Sequence, residues 1–438
     1  METSPASHYE RLSAQDASFV AFESDRTPMH VGGLSIYELG ALARPDGGVD
    51  FERIRAAIHS RLPFVPRYRQ KLLRVPLDGS PIWVDAADFD VDRHLRRMTL
   101  PGGGDDRELR ERVGFLLEEP LDPEQPLWEI WVIDGLAGGR FAMLNKIHHA
   151  IVDGSSGVDL MALLLSPTPD ATIEEPPAWT PRPAPSRLRL LADEVGRRAR
   201  LPIAFARELA RAVADPRRLA ADASTTLGAI VDTVRAGIPG APPTPLNGPV
   251  GRGRRIDWRS FDLARVKAIK NALGGTVNDV ALAVTAGAVR SELRRRGADP
   301  DALAFRAIVP VSMRSAEESG RLGNHVSAWL MELPVGESSA RRRYERIRER
   351  TGGLKASNQA LGAEALSKLG EWIGFRALSL ALSLTNVIRP YNLIVTNVRG
   401  PEVPFYFFGA RMIACYPALP LFEHQGLGIA LFGYAGRL

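Results

Sequence analysis

His148-His149-Ala150-Ile151-Val152-Asp153-Gly154 brings two imidazoles, a carboxylate and a glycine into one short stretch. A neutral imidazole titrates near pH 6.5, so one of its ring nitrogens is free at physiological pH to take a proton from a weak nucleophile. His148 and His149 are therefore candidate catalytic residues, with His149 as the base. Asp153 follows on a tight turn, where it is expected to anchor the loop through an arginine; Arg67 and Arg69 of Pro66-Arg67-Tyr68-Arg69 are the candidate partners. Gly154 would allow close backbone approach or a positive φ. Two other readings remain open on these residues alone. Such a histidine can be a satisfied core side chain, or the group can hold a metal. Zinc sites want three or four ligands at set spacings, and neither HExxH nor CxxC occurs here. The remaining histidines, His8, His30, His59, His94, His325 and His424, form no cluster in the sequence.

The elements that must position these groups are legible around them. Trp128 to Leu136 and Phe141 to Ile147 are rich in β-branched and aromatic residues and are broken at Gly138-Gly139. That predicts a hairpin whose second strand delivers the histidines at its end. Gly154-Ser155-Ser156-Gly157 then leads into a predicted helix, Val158 to Leu165, entered through small capping residues. A further helix is predicted from Phe51 to Leu62. Pro176 to Pro185 is proline-rich and reads as an extended linker. Beyond it, Leu188, Leu191, Val195 and Ala199 are expected to share a helix face, as are Phe205, Leu209 and Val213, with arginines opposite. This basic amphipathic section either covers the core or lies on lipid headgroups. Pro239 to Gly253 returns the chain to a second α/β half containing the strands Phe305 to Val311 and Tyr391 to Thr396. The expected division is 1–175 for the first lobe, 176–250 for the linker and basic helices, and 251–438 for the second lobe.

Composition sets the outer bounds. A chain of 438 residues buries one large or two medium cores, and 45% apolar with 24% charged residues is ordinary for a globular protein. Cys415 is the only cysteine, which excludes an internal disulfide and suggests a reducing compartment. It lies far from the motif and is expected in the core rather than as a nucleophile. Met1-Glu2-Thr3-Ser4-Pro5 shows no basic or apolar leader pattern, so secretion is not expected. No stretch reaches the roughly 18 apolar residues of a spanning helix; the nearest, Ala377 to Ile388, is interrupted by Ser379, Ser383 and Asn386. The net charge of +5 is mild, and the arginine run from Arg341 to Arg350 mixes signs as a solvated helix face would. Nucleic-acid binding would want aromatic or glycine interleaving that is not evident. Contact with an anionic membrane surface fits better.

The ordered motifs resemble a family. His148 to Gly154 is similar to the HHxxxDG motif of the CoA-dependent acyltransferase superfamily, which includes chloramphenicol acetyltransferase and peptide-synthetase condensation domains. Leu12-Ser13 to Asp16 and Pro28-Met29-His30-Val31-Gly32-Gly33 resemble the opening of the wax ester synthase/diacylglycerol acyltransferase family. Pro126-Leu127-Trp128 is similar to its PLW motif and Asn278-Asp279-Val280-Ala281-Leu282-Ala283 to its ND motif. Pro310-Val311-Ser312-Met313-Arg314, Asn397-Val398-Arg399-Gly400-Pro401 and Gln425-Gly426-Leu427 follow in the family's order.

The resemblance implies an α/β (α+β) fold of two chloramphenicol-acetyltransferase-like lobes, joined by a helical crossover, with an active-site tunnel between them. It implies transfer of an acyl group from acyl-CoA to diacylglycerol, or to a fatty alcohol, at a membrane or lipid-droplet surface in the cytoplasm. No cofactor and no metal is implied, acyl-CoA being a substrate. It gives His149 the role of general base and His148 a supporting one, has Pro126, Leu127 and Trp128 line the pocket, and sets Asn278 and Asp279 at the lobe interface. On the residues alone, Asn278 and Asp279 also read as a helix cap, and Trp128 as a core residue at a strand start. Arg399 stands where the family often carries proline, which implies altered geometry or charge at that strand end. The sequence stops at Leu438 where relatives continue into a strand and helix, which implies an unpaired edge. Two competing functions share the fold: a condensation enzyme using carrier-bound acyl groups, and a non-catalytic lipid-binding relative.

Overall fold

The computed structural model describes residues 9–45, 47–77, 79–151, 163–199, 240–312, 326–356 and 389–438. In chain order the elements are β1 (Glu10–Arg11), α1 (Ala14–Phe22), β2 (His30–Glu38), α2 (Phe51–Arg61), β3 (Gln70–Arg74), β4 (Pro81–Asp85), β5 (Leu95–Thr99), α3 (Asp106–Glu118), β6 (Trp128–Leu136) and β7 (Arg140–His148). After the crossover come α4 (Leu263–Leu273), α5 (Val277–Arg295), β8 (Arg306–Ser312), β9 (Val326–Glu332), α6 (Ala340–Ala356), β10 (Leu393–Arg399), β11 (Tyr406–Phe407), β12 (Ala410–Ala418) and β13 (Gly428–Gly433).

The expected hairpin is β6 and β7, closed at Leu136 opposite Arg140. Gly138 and Gly139 take φ of +77° and +64° in the turn, a region open to glycine at little cost. The hairpin lies inside a six-stranded sheet of order β11-β12-β2-β7-β6-β5, in which only β5 and β6 run parallel. Both faces are covered, which explains the nearly continuous apolar runs. Phe141 and Met143 enter one core with Ile54 and Ile58 of α2, while Ala142 and Leu144 enter another with Leu109, Val113 and Leu116 of α3. Each such leucine or valine contributes about 1.5–3 kcal/mol by leaving water. The same alternation carries Lys146 and His148 toward the α3 face, and Lys146 Nζ donates to the Glu119 carbonyl just beyond that helix.

A second sheet of four strands, β13-β10-β8-β9, packs its Ala307, Val309, Leu393 and Val395 against α5 and α6. A small sheet, β1-β4-β3, completes the described topology. Residues 406–418, expected in the 251–438 lobe, instead extend the first sheet, since β12 pairs antiparallel with β2 from Met412–Tyr37 to Ala418–Gly32. The two halves of the chain therefore share a sheet.

Three further expectations are corrected or refined. The stretch 187–199 is helical, but Leu188 and Val195 are exposed, whereas Leu190 and Glu194 are buried. The buried Glu194 carboxylate accepts from Arg11, Arg197 and Arg198 at 2.7–2.9 Å, a charge cluster that a hydrophobic pattern does not reveal. The proline-rich linker is pinned: Arg182 donates its backbone N–H and guanidinium to Asp85, and Arg69 lies over the Trp179 ring at 4.6 Å. The last residue is tied down, with Phe261 and Leu438 exchanging backbone hydrogen bonds at 2.8 and 2.9 Å, while β13 stays an edge strand of the second sheet, in line with the expected edge. Arg399 continues the ladder opposite Gly433, at the exposed end of β10. Among the described residues no single helix is long and apolar enough to cross a membrane. The stretch Ala377 to Ile388, with Val158 to Ala162 and Phe205, Leu209 and Val213, lies outside the described residues.

Candidate active site

His148 closes β7, and the turn 149–151 follows it. Every backbone N–H of that turn is already donated. His149 N bonds the Met29 carbonyl at 2.8 Å, Ile151 N bonds the His148 carbonyl at 2.9 Å, and Ala150 N bonds His148 Nδ1 at 3.0 Å. The last bond fixes the tautomer: with Nδ1 accepting, a neutral His148 ring carries its proton on Nε2. That atom is buried and lies 3.4 Å from Glu23 Oε2. The other Glu23 oxygen accepts the Met29 N–H at 3.2 Å. Burial raises the Glu23 carboxyl, but His148 and the Met29 N–H outweigh it and leave the group below its ordinary value.

The His149 ring is half-buried and stacks on Phe19, centroids 3.7 Å apart and planes 12° from parallel. Its Nδ1 is buried with no hydrogen-bond partner, and among the described residues no side chain bonds the ring. Burial, with the nearby His148, pushes its pKa down to about 4, partly offset by its own backbone carbonyl. The ring is therefore neutral at physiological pH, and Nε2 is the atom left to receive a proton. A third histidine joins them. His30 opens β2 directly opposite His148 and, with burial as the largest cause, is pushed down to about 3. The sequence did not show this cluster, because strand pairing makes neighbours of residues 118 positions apart.

Trp128 packs in the core and, with Pro126, borders a cavity of about 150 Å³ beside His94 and Gln125. It is 1% exposed, its indole N–H donates to the Tyr68 carbonyl at 2.8 Å, and it stacks on His94 at 4.5 Å. Its neighbours still reach the motif, since the Leu127 carbonyl accepts the His148 N–H at 3.0 Å. Pro126 and Leu127 are also buried.

Asp279 forms a capping box with Thr276 at the start of α5, and its second oxygen accepts the Thr351 hydroxyl at 2.7 Å, tying α5 to α6. Asn278, beside it, accepts from Asn397 at 3.3 Å, so the two Asn-bearing motifs meet across α5 and β10. Asp279→Ala would lose the cap and leave the buried Thr351 hydroxyl only its longer bond to the Arg348 carbonyl, at 3.2 Å. It is expected to cost about 2 kcal/mol, read as a lower midpoint in urea unfolding, with Asp279→Asn losing less.

Asp153 and Gly154 lie outside the described residues, as do Met313 and Arg314. Of the candidate partners of Asp153, Arg67 bonds Glu10 and Gln70, each at 2.8 Å, whereas Arg69 lies over Trp179 with its buried Nε free of any hydrogen bond. Cys415 sits on β12 with its thiol pushed up to about 11 by burial, so it carries no thiolate at neutral pH. Among the described residues no three His, Cys, Asp or Glu side chains gather as a metal site. Sequence reasoning missed Phe19 and Glu23; the available signal was their i, i+4 spacing at the end of α1, just before Pro28-Met29-His30.

Residues 12–281 match the family described as the wax ester synthase/diacylglycerol acyltransferase catalytic domain, and residues 322–438 match the C-terminal domain of the same family. A Mycobacterium tuberculosis protein whose name carries a provisional diacylglycerol O-acyltransferase assignment is 35% identical over 440 residues, covering 98% of this chain and 84% of its own. A second from that organism, provisionally named in the same way, is 34% identical over 443 residues, covering 97% and 91%. Among solved structures, a wax ester synthase/diacylglycerol acyltransferase from Marinobacter aquaeolei VT8 matches with a TM-score of 0.68 and 25% identity, covering 98% of this chain and 91% of that one. The first condensation domain of the calcium-dependent antibiotic synthetase matches at a TM-score of 0.54 and 19% identity, covering 99% and 90%. The shared fold is a mixed α/β arrangement of two chloramphenicol-acetyltransferase-like lobes.

Proposed function

The chain belongs to the wax ester synthase/diacylglycerol acyltransferase family, and from that premise we propose that it moves a fatty acyl group from acyl-CoA to the hydroxyl of diacylglycerol, with His149 as general base. The observation that carries this reading is the His149 ring itself: neutral, half-exposed, held flat against Phe19 and bonded to no described side chain. An alcohol is a poor nucleophile, so its proton must leave as its oxygen attacks the thioester carbonyl. His149 Nε2 takes that proton. The tetrahedral intermediate then collapses, the C–S bond breaks, and the imidazolium returns the proton to the departing thiolate. The products are triacylglycerol and coenzyme A. No acyl-enzyme is needed.

The oxyanion donors lie elsewhere than the turn, since the N–H groups of residues 149–151 are already used. A substrate path between the lobes is supported by incomplete burial there: β13 is half-buried at all six positions, and β12 from Ile413 to Ala418. Diacylglycerol resides in lipid, so the enzyme would work peripherally at a cytoplasmic membrane or droplet surface. Exposed apolar side chains such as Phe64 and Phe115 suit such contact. The Marinobacter relative, whose name includes wax ester synthesis, supports a second reading in which a long-chain alcohol is the acceptor.

One assay decides between these readings. Radiolabelled acyl-CoA is offered with diacylglycerol and a long-chain alcohol together, and the lipids are resolved by chromatography. Labelled triacylglycerol is the expected main product. Predominant wax ester would transfer the assignment to the alcohol, and no labelled lipid would refute both. The pH profile is a second check. The base must be neutral, so kcat/KM is expected to stay level from neutral pH to about 5 and to fall with acid through a midpoint near 4. A midpoint at the ordinary imidazole value would contradict a buried base.

A further inference from the structure

We propose that α1 acts as a two-pronged positioning element for the histidine pair, Glu23 holding His148 and Phe19 setting the plane of the His149 ring. The inference rests on the reading of His149 as the base. It begins with spacing. Phe19 and Glu23 are one helical turn apart, and the Glu23 N–H donates to the Phe19 carbonyl at 3.1 Å, so both side chains leave the same end of α1. Ser13 caps the other end, accepting from Asp16 N at 3.0 Å, which makes α1 a defined short rod rather than a loose segment.

The first prong works through a proton whose place is fixed. His148 Nδ1 accepts from Ala150, so Nε2 points away from the turn; it is buried without a hydrogen bond, and the Glu23 carboxylate lies beside it at 3.4 Å as an ion-pair contact. The negative charge beside Nε2 favours the one ring orientation that turns the Nε2–H edge toward Glu23 and leaves Nδ1 holding Ala150. Glu23 also grips the turn a second way. Its other oxygen binds the Met29 N–H, and the Met29 carbonyl binds the His149 N–H. The backbone on both sides of the His149 side chain is therefore tied to one carboxylate. The second prong acts on the ring. At 3.7 Å and 12°, Phe19 restricts rotation about the His149 side-chain bonds and leaves the ring edge as the reactive face. Neither residue touches the reacting atoms in this account. Each positions the group that does.

The test uses the full chain and two kinds of readout. In steady-state transfer from acyl-CoA to diacylglycerol, Glu23→Ala is expected to lower kcat by about 10–100-fold with the KM for acyl-CoA nearly unchanged. Glu23→Gln keeps one acceptor oxygen and is expected to lose only about 3–10-fold; it carries the test if the alanine variant does not fold. Phe19→Leu is expected to lower kcat about 3–10-fold, and Phe19→Tyr to restore it. Imidazole proton–nitrogen NMR supplies the readout independent of turnover: wild-type His148 protonated at Nε2, with that proton's resonance shifted or broadened in Glu23→Ala. Wild-type kcat in the Glu23 variants, or a change confined to KM, would overturn the proposal while leaving His149 as the base. A wild-type protein without transfer activity would instead remove the functional reading, and an unaltered His148 signature in Glu23→Ala would still refute the clamp.

Discussion

Replacing His149 by alanine is expected to lower kcat for acyl transfer by about 10²–10⁴-fold, the loss associated with a positioned general base. The fold should survive. The ring is half-buried, bonds no described side chain, and its backbone N–H to the Met29 carbonyl is retained in the variant. The ring stacks on Phe19, a contribution of about 0.5–1.5 kcal/mol. Thermal unfolding of His149→Ala should therefore sit close to wild type while turnover collapses. His148→Ala is expected to behave differently. That ring is fully buried and accepts the Ala150 N–H, so its removal opens a cavity and orphans a donor, and stability should fall together with rate. Near-wild-type transfer by His149→Ala would exclude the base assignment.

Trp128→Ala carries the largest expected stability loss, about 3–5 kcal/mol. The indole is 1% exposed, packs against Tyr68 and His94, and donates its N–H to the Tyr68 carbonyl. Truncation leaves a cavity at the start of β6 and a buried carbonyl without its donor. Trp128→Phe keeps a ring against His94 and should cost only about 1–3 kcal/mol, chiefly the lost hydrogen bond. Chemical unfolding followed by circular dichroism would rank the two. Activity is expected to follow stability here, because the adjacent Leu127 carbonyl holds the His148 backbone. An alanine variant as stable as wild type would show that the indole is not part of the core.

The contrast between these two residues shows what the sequence could disclose. The β6–β7 hairpin was legible because alternating apolar residues and the Gly138-Gly139 break are local signals, and the histidines necessarily fell at its end. The helix at Phe51–Arg61 and the strands Arg306–Ser312 and Leu393–Arg399 were legible for the same reason. The partners of the histidines were not. His30 meets His148 through strand pairing, and Glu23 and Phe19 reach the turn from a separate helix; no periodicity within either segment encodes that meeting. The insertion of β12 beside β2 is likewise a long-range pairing, invisible to a division made by linkers. The misread face at 187–199 has a different cause. Glu194 lies off the apolar face drawn through Leu188, Leu191, Val195 and Ala199, yet three arginines neutralise its carboxylate and allow it to be buried. Asp279 shows the reverse: its capping reading followed from local chemistry, and its bond to Thr351 did not.

Coenzyme A release on mixing with acyl-CoA, followed by thiol detection with and without diacylglycerol for wild type and His149→Ala, tests the central claim most directly. Rapid release is expected only from the wild-type enzyme and only with the acceptor present, in step with triacylglycerol. Release of one equivalent from wild type without acceptor, or equally fast acceptor-dependent release from His149→Ala, would contradict direct transfer driven by this imidazole.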